Sequence, residues 1–371
     1  MQQSGFSMFN TFNGLELKLL RLFYEYSLED VAEKLGKSRQ YIHKLETGLS
    51  YPTEDLLNNL CTLFKVQSSF FYQVHSLLQE DQVHFRSLKS SRQFAKQVVI
   101  ARAEQLNRLI RIIEHNVNLP EYAIESEELD HTILTADRIE QISDNFRKNF
   151  GLDYTPISNL TEFCEDLGII VTDFDTISSE VDALSLICHR PIIVRNKSKN
   201  SVCRQRFDIA HELGHMVLHN GVITGDRLTE SQAHRFASAL LLPQSILRTN
   251  FPILFKNGRF NWVKMSEFKK IWGISKAAIL YRAKQLNLID EFQYKTGVIH
   301  LNRASGEAKQ EIEDSEMPLE KPSLLHDAIS IMLDDGISAE NISDELNISI
   351  PLLERLVGMN LPKKVPKLAI I

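Results

Sequence analysis

Cysteine is scarce in this 371-residue chain: Cys61, Cys164, Cys188 and Cys203 are scattered, and no two form a Cys-x-x-Cys pair. This excludes a disulfide scaffold and a thiolate zinc finger, and suits inert thiols in a reducing compartment. Only Cys203 lies near a motif of interest, where a nucleophilic or redox-sensing role is conceivable. Long hydrophobic runs are missing, as is a basic stretch followed by an apolar one near Met1, so we expect a cytoplasmic protein with no membrane partner. Also absent are a P-loop, a dinucleotide fingerprint and a tandem repeat. With 15 Gly and 11 Pro the chain is neither fibrous nor of low complexity, and 43% hydrophobic with 24% charged residues is ordinary globular material. Its length allows two or three domains with real cores.

The formal net charge of −6 conceals a polarity. Arg86, Lys89, Arg92, Lys96, Arg102, Arg108 and Arg111 make residues 84–111 strongly basic, whereas 121–182 are acidic. A solvated helix face, a DNA-backbone contact, or an intramolecular partner for the acidic segment would each account for the basic stretch.

The most informative segment is Phe207 to Leu218, which contains His211-Glu212-Leu213-Gly214-His215. A spacing of four places His211 and His215 one turn apart on one helical face, where two imidazoles can grip one metal ion. Glu212 lies beside them as a general base for water. Positions 209, 210, 213, 214, 216 and 217 around them are uncharged, as a buried helix requires. A catalytic zinc takes a third protein ligand and keeps one position open. Glu230 to Pro243 has helical apolar spacing at 233, 236, 237, 240 and 241, which sets Glu230 and His234 on a neighbouring face, so either could reach the metal.

These residues resemble the ImmA/IrrE family of metallo-endopeptidases, whose helix RRFxxAHELGH is followed by ExEANxFAxxLLMP. Arg206-Phe207 and Ala210 to His215 match the first motif, and Glu230 aligns with the first Glu of the second. The resemblance implies Zn2+ held by His211, His215 and Glu230, with Glu212 as general base. Gln232 stands where the family has its second Glu, His234 where it has Asn, and Leu242 where it has Met. His234 could replace Glu230, orient it, or be solvated. His219, one turn further on, has no assigned role. Arg204, Arg206 and His234 are the nearest groups in sequence for an oxyanion.

In the N-terminal part, Ser27-Leu28-Glu29-Asp30 reads as a capping box, Gly36 as a helix end and Ser38 as the next cap, which is helix-turn-helix spacing. Ser27 to Gly48 resembles the XRE (Cro/repressor-like) DNA-binding family at Ala32, Gly36, Ser38, Ile42, Glu46 and Gly48, although Leu28 stands where the family commonly has Gln. Val31, Ala32, Leu35, Ile42 and Leu45 would join the helices. Arg39, Gln40, His43 and Lys44 would face double-stranded DNA, and a homodimer would add a second half-site. Phe70-Phe71-Tyr72 and Val83 to Arg86 read as aromatic anchors, and Ala95–His115 as a long amphipathic helix ending before Pro120.

Strands are expected at Gly168–Thr172, Ala183–Cys188 and Pro191–Val194, the last two joined at His189-Arg190. Gly273-Ile274-Ser275, Gly336-Ile337-Ser338 and Asn347-Ile348-Ser349 repeat the helix-turn-helix rhythm. The polar stretch 303–322 reads as an exposed linker. Ser266 and Lys269 have Ser-x-x-Lys hydrolase spacing, a pattern short enough to arise by chance.

The expected fold class is therefore mainly α with a small β-sheet. It comprises an N-terminal helix-turn-helix domain (10–75), a helical connector (76–120), a zincin-like α+β peptidase core (121–260), a helix-turn-helix-like extension (261–302) and a small C-terminal helical domain (323–371). The function implied is a DNA-binding regulator with a zinc endopeptidase that cleaves a repressor or antitoxin in a stress response. The rival is a DNA-binding repressor whose metal is structural or sensory, against which Glu212 argues, because a structural site needs no general base.

Overall fold

The computed structural model describes residues 11–73, 83–84, 93–124, 129–174, 183–186, 188–196, 201–222, 224–305 and 311–362. Arg86, Lys89, Arg92 and the anchors Phe85 and Arg86 lie outside them. The chain divides into two compact units. One contains Met1–Glu80, Ser91–Leu119 and Leu324–Ile371, the other Asp81–Ser90 and Pro120–Ser323. No helix among the described residues is long and apolar enough to cross a membrane.

The first unit opens with α1 (Gly14–Phe23), α2 (Leu28–Leu35), α3 (Arg39–Glu46) and α4 (Glu54–Phe64). The capping box at α2 is reciprocal: Asp30 N–H donates to Ser27 Oγ at 3.1 Å and Ser27 N–H to the Asp30 carboxylate at 2.7 Å. Gly36 ends that helix at φ 62°, and Ser38 caps α3 by accepting from Tyr41 N–H at 3.2 Å. Val31, Ala32, Ile42 and Leu45 are buried together with Leu17 and Leu20 of α1 and Leu60 and Phe64 of α4, while Leu35 is half-buried. Arg21 and Glu46 are also buried, and pair through two contacts of 2.5 and 3.0 Å that tie α1 to α3.

Helix α5 (Gln93–Asn116) matches the expected long helix, and over its described residues it corrects the reading of the basic stretch as a solvated or DNA-facing surface. It is buried from Ala101 to Ile110 without a break, and Arg102 and Arg108 are neutralised inside the same unit. Arg108 makes a bidentate pair with the fully buried Glu16 at 2.8 and 2.9 Å and reaches Glu104 at 3.3 Å, and Arg102 pairs with Glu25 at 2.5 Å. Their partners are acids of this unit, not of 121–182. Among the described arginines and lysines of α5, Arg111 alone is exposed.

The second unit holds a four-stranded sheet of β1 (Val83–His84), β2 (Ile170–Phe174), β3 (Ala183–Leu186) and β4 (Ile192–Asn196) in the order β1-β3-β4-β2. β3 and β4 form the expected antiparallel hairpin, with Ser185 opposite Ile193, and β2 lies parallel to β4 with Ile170 opposite Ile192. β1 pairs antiparallel with β3, placing His84 opposite Ser185. β3 and β4 are buried along their whole length, the polar Ser185, Arg195 and Asn196 included. Around the sheet and beyond it lie α6 (Ala136–Asn149), α7 (Leu160–Asp166), α8 (Val202–Leu218), α9 (Arg227–Leu241), α10 (Gln244–Leu254), α11 (Trp262–Trp272), α12 (Lys276–Gln285) and α13 (Glu291–Ser305). One apolar core runs from Ile139 and Phe146 of α6 through Val171, Ile193, Ile209, Leu213, Phe236 and Leu240 to Phe268, Trp272, Leu280 and Leu301.

The stretch expected to be an exposed linker is exposed at Arg303, Ile312, Ser315, Glu316, Pro318, Leu319 and Lys321, but it is anchored to the fold at particular acids. Glu311 and Asp314 are buried and hold the fully buried Lys269, with Glu311 at 2.9 Å. Glu320 accepts from Leu160 N–H and Thr161 N–H at 3.1 and 3.0 Å, capping α7, and pairs with Arg206. A buried ammonium needs anionic partners, and these polar residues supply them. The same pairing removes Lys269 from any Ser-x-x-Lys chemistry. Ser266 donates instead to Glu313 at 2.6 Å.

Helices α14 (Leu324–Asp334), α15 (Ala339–Leu346) and α16 (Ile350–Val357) return to the first unit and pack on α5. Ser338 and Asn341 form a capping box, and Asn347, φ 56°, turns the chain into α16. Ser349 N–H donates to Lys65 O at 2.9 Å and Gln67 to Asp344 at 2.8 Å, so these helices dock directly on the helix-turn-helix segment.

Candidate metal centre

Two helices converge to build the site. Ser201 caps α8, accepting from Arg204 N–H at 3.4 Å, and Asp226 caps α9, accepting from Leu228 and Thr229 N–H at 2.7 and 3.2 Å. Gly214 lets them approach: a Cβ there would stand 3.0 Å from Ala233 O and 3.2 Å from Ala233 Cα. That proximity carries Glu230, in the first turn of α9, to the histidines of α8.

His211, His215 and Glu230 each offer one ligand atom, and these atoms lie within 4.8 Å of one another. His211 Nε2 and His215 Nε2 are 3.1 Å apart, and Glu230 lies 3.3 Å from the first and 3.4 Å from the second. Donors each about 2.0–2.1 Å from a tetrahedral zinc stand about 3.3 Å apart, so the set fits that ion and leaves a fourth position open. Both histidines are 1% exposed. Burial pushes the Glu230 carboxyl up, but the facing His211 and His215 imidazoles favour its anion more strongly and hold it at about 2. Glu230 thus remains an anionic oxygen donor.

Glu212 is equally buried, and its Oε2 accepts a hydrogen bond from Ser185 Oγ of β3 at 2.6 Å. The sheet therefore orients the carboxylate beside the histidines. Ser185 escaped the sequence reading because its partner lies 27 residues away. His219 and Gln232 were noted there without a role. His219 Nδ1 lies 3.1 Å from His215 Nδ1, and its Nε2 is 2.9 Å from Gln232 Oε1. Gln232 Nε2 donates onward to His131 O at 2.6 Å. Burial pushes the His219 imidazole down to about 4 against the opposing hydrogen bond it donates to Gln232, which leaves it neutral near pH 7. The available signal was the spacing of four between His215 and His219.

His234 lies outside the converging atoms. It is half-buried, its ring centroid 4.7 Å from Phe207, 5.2 Å from Tyr281 and 6.2 Å from His211. With Phe207, Asp208, Ser238 and Tyr281 it lines a cavity of about 390 Å3 beside the centre. Arg206 is buried and engaged by Glu320 and Ile157 O, the latter at 2.8 Å, so it braces the fold and is not poised over an oxyanion. The Cys203 thiol is buried, and desolvation pushes it up to about 12, which removes it as a thiolate nucleophile or sensor.

Arg39, Gln40, His43 and Lys44 are all exposed along α3 in the first unit, apart from the buried side that Ile42 and Leu45 turn to the core. Arg39 Nε meets Glu29 at 3.0 Å on the open surface. Leu49 and Tyr51, in the turn that follows, are 76% and 58% exposed, an apolar addition to this surface that charge reading overlooked.

Residues 17–71 match the family of helix-turn-helix domains, and residues 164–284 match the IrrE N-terminal-like domain of the Peptidase_M78 family. No curated protein matches the chain.

Proposed function

We propose that this chain, an XRE-type helix-turn-helix domain fused to an IrrE/ImmA-like metallopeptidase domain, is a DNA-binding regulator whose peptidase cleaves a regulatory protein. The observation that carries the reading is the buried Glu212, held by Ser185 at 2.6 Å beside three converging ligand atoms. His211, His215 and Glu230 would hold zinc, as their donor types and spacing suit it. When bound, zinc supplies Lewis-acid polarisation of a peptide carbonyl and lowers the pKa of water. Ser185 fixes Glu212 through Oε2, in the orientation from which Oε1 takes up a proton from water and passes it to the leaving amine. An extended substrate fits better than a small molecule, because the sheet lies beside the centre and backbone pairing can align a peptide. The resemblance to IrrE/ImmA-like peptidases favours a transcriptional repressor or antitoxin as the protein cut, in a stress response.

Metal content of chelator-free protein tests the site. Elemental mass spectrometry should find about one zinc per chain, lost in His211→Ala and Glu230→Ala, and a metal-free wild type even after zinc is supplied would refute the mechanism. Glu212→Gln should keep the zinc and the DNA binding while cleavage falls about 100- to 10,000-fold. Sequencing of new protein N-termini in cells expressing wild type or Glu212→Gln reads this whichever protein is cut. Identical N-termini in both would favour a metal with a purely structural or sensory role.

A further inference from the structure

We infer that Gln232 and His219 form a positioning relay that sets the tautomer of His215 and so aims its Nε2 lone pair at the metal. The inference rests on reading His211, His215 and Glu230 as metal ligands. Its logic begins at a backbone carbonyl. His131 O can only accept, so the Gln232 group 2.6 Å from it must be the NH2, which turns Gln232 Oε1 toward His219. Oε1 can only accept as well, so His219 Nε2, at 2.9 Å, must carry a hydrogen. His219 is fully buried with its two nitrogens facing Gln232 and His215, where an unpaired cation is costly, so the ring is neutral and its Nδ1 is bare. His215 Nδ1 lies 3.1 Å from it and must donate. His215 is left with its lone pair on Nε2, the atom 3.4 Å from Glu230 and 3.1 Å from His211 Nε2.

Metal-bound histidines usually donate their second N–H to a carboxylate, carbonyl or water, which fixes the ring and the tautomer. Here a second imidazole accepts that hydrogen, and an amide orients it in turn. The arrangement explains why glutamine suits position 232. A carboxylate there would set an anionic oxygen against the His131 carbonyl, whereas the amide satisfies both neighbours. His219 and Gln232 are 0% and 4% exposed, so water cannot readily substitute for either.

The test uses full-length protein with 15N-labelled histidine. Long-range 1H–15N spectra of the metal-free chain should show His219 protonated at Nε2 and His215 at Nδ1. Gln232→Met, of similar length but without either polar group, should lose that signature and weaken zinc binding about 10- to 100-fold in a chelator competition. Because the two residues act as one chain, the double variant Gln232→Met/His219→Phe should bind zinc no worse than the weaker single variant. Zinc on the wild type with His219 protonated at Nδ1, or an affinity unmoved by Gln232→Met, or additive losses in the double variant, would overturn the relay alone. No zinc on the wild type would overturn the metal-site reading beneath it.

Discussion

At residue scale, Gly214 shows how close packing and metal geometry become one constraint. Alanine is the better helix former by about 1 kcal/mol, so Gly214→Ala would stabilise an isolated α8. In the folded unit the new Cβ would press on Ala233 O at 3.0 Å, and backbone cannot rotate away as a side chain would. Overpacking of this kind costs about 1–3 kcal/mol, which outweighs the propensity gain. We therefore expect Gly214→Ala to lower the urea midpoint, and zinc affinity to fall with it as α9 and Glu230 move off α8. A midpoint at or above wild type would mean that the two helices separate without cost. The two histidines were readable from spacing, because helical periodicity dictates which side chains share a face, whereas spacing left Glu230 and His234 both open and the family resemblance chose between them. The residues that orient them were not readable. Ser185 reaches Glu212 only through the sheet, and the partner of Gln232 is a carbonyl, which leaves no mark on side-chain identity.

At the scale of elements, the helix starts were legible because caps are local: Ser27, Ser38, Ser275 and Ser338 each satisfy an N–H three residues away. What sequence concealed is long-range charge pairing. The 303–322 stretch looked solvated because its acids are numerous, yet Lys269 gathers two of them into the interior. The pair of Arg282 on α12 with Glu140 on α6 is the same phenomenon, with contacts of 2.6 and 2.5 Å and exposures of 1% and 3%. Arg282 also donates to Leu242 O at 3.1 Å, which holds the end of α9. Removing one partner of such a pair typically costs about 3–5 kcal/mol, since the other charge stays buried. Arg235 lies 3.2 Å from Glu140 and can take part of the load, so Arg282→Met should cost about 3 kcal/mol, at the low end. Adding Glu140→Gln should recover much of that loss. Chemical denaturation of the two variants decides it: a single variant within about 1 kcal/mol of wild type would show that Arg235 suffices.

For the whole molecule, the net charge of −6 shapes how the helix-turn-helix domain must work. A chain of that sign has no general field drawing it to DNA, so attraction has to come from local exposed cations such as Arg39 and Lys44 of α3, and the buried Arg102 and Arg108 of α5 cannot help. Arg39 is tethered to Glu29 only by an exposed pair, worth roughly 0.2–1 kcal/mol, so it is released to a base or phosphate at little cost. Binding should therefore show a shallow salt dependence, each neutralised phosphate contributing about −0.9 to the slope of log K against log salt. With a duplex selected from a random-sequence pool as probe, Lys44→Ala should reduce the magnitude of that slope by about 1, as expected for a phosphate contact. Arg39→Ala, if it reads a base edge, should instead cost about 1–3 kcal/mol and relax the preference at one position. Glu212→Gln should change neither, because the carboxylate belongs to the other compact unit. If duplex binding keeps its slope and affinity in both α3 variants, the exposed face of that helix does not meet DNA, and the domain joins its peptidase to another protein instead.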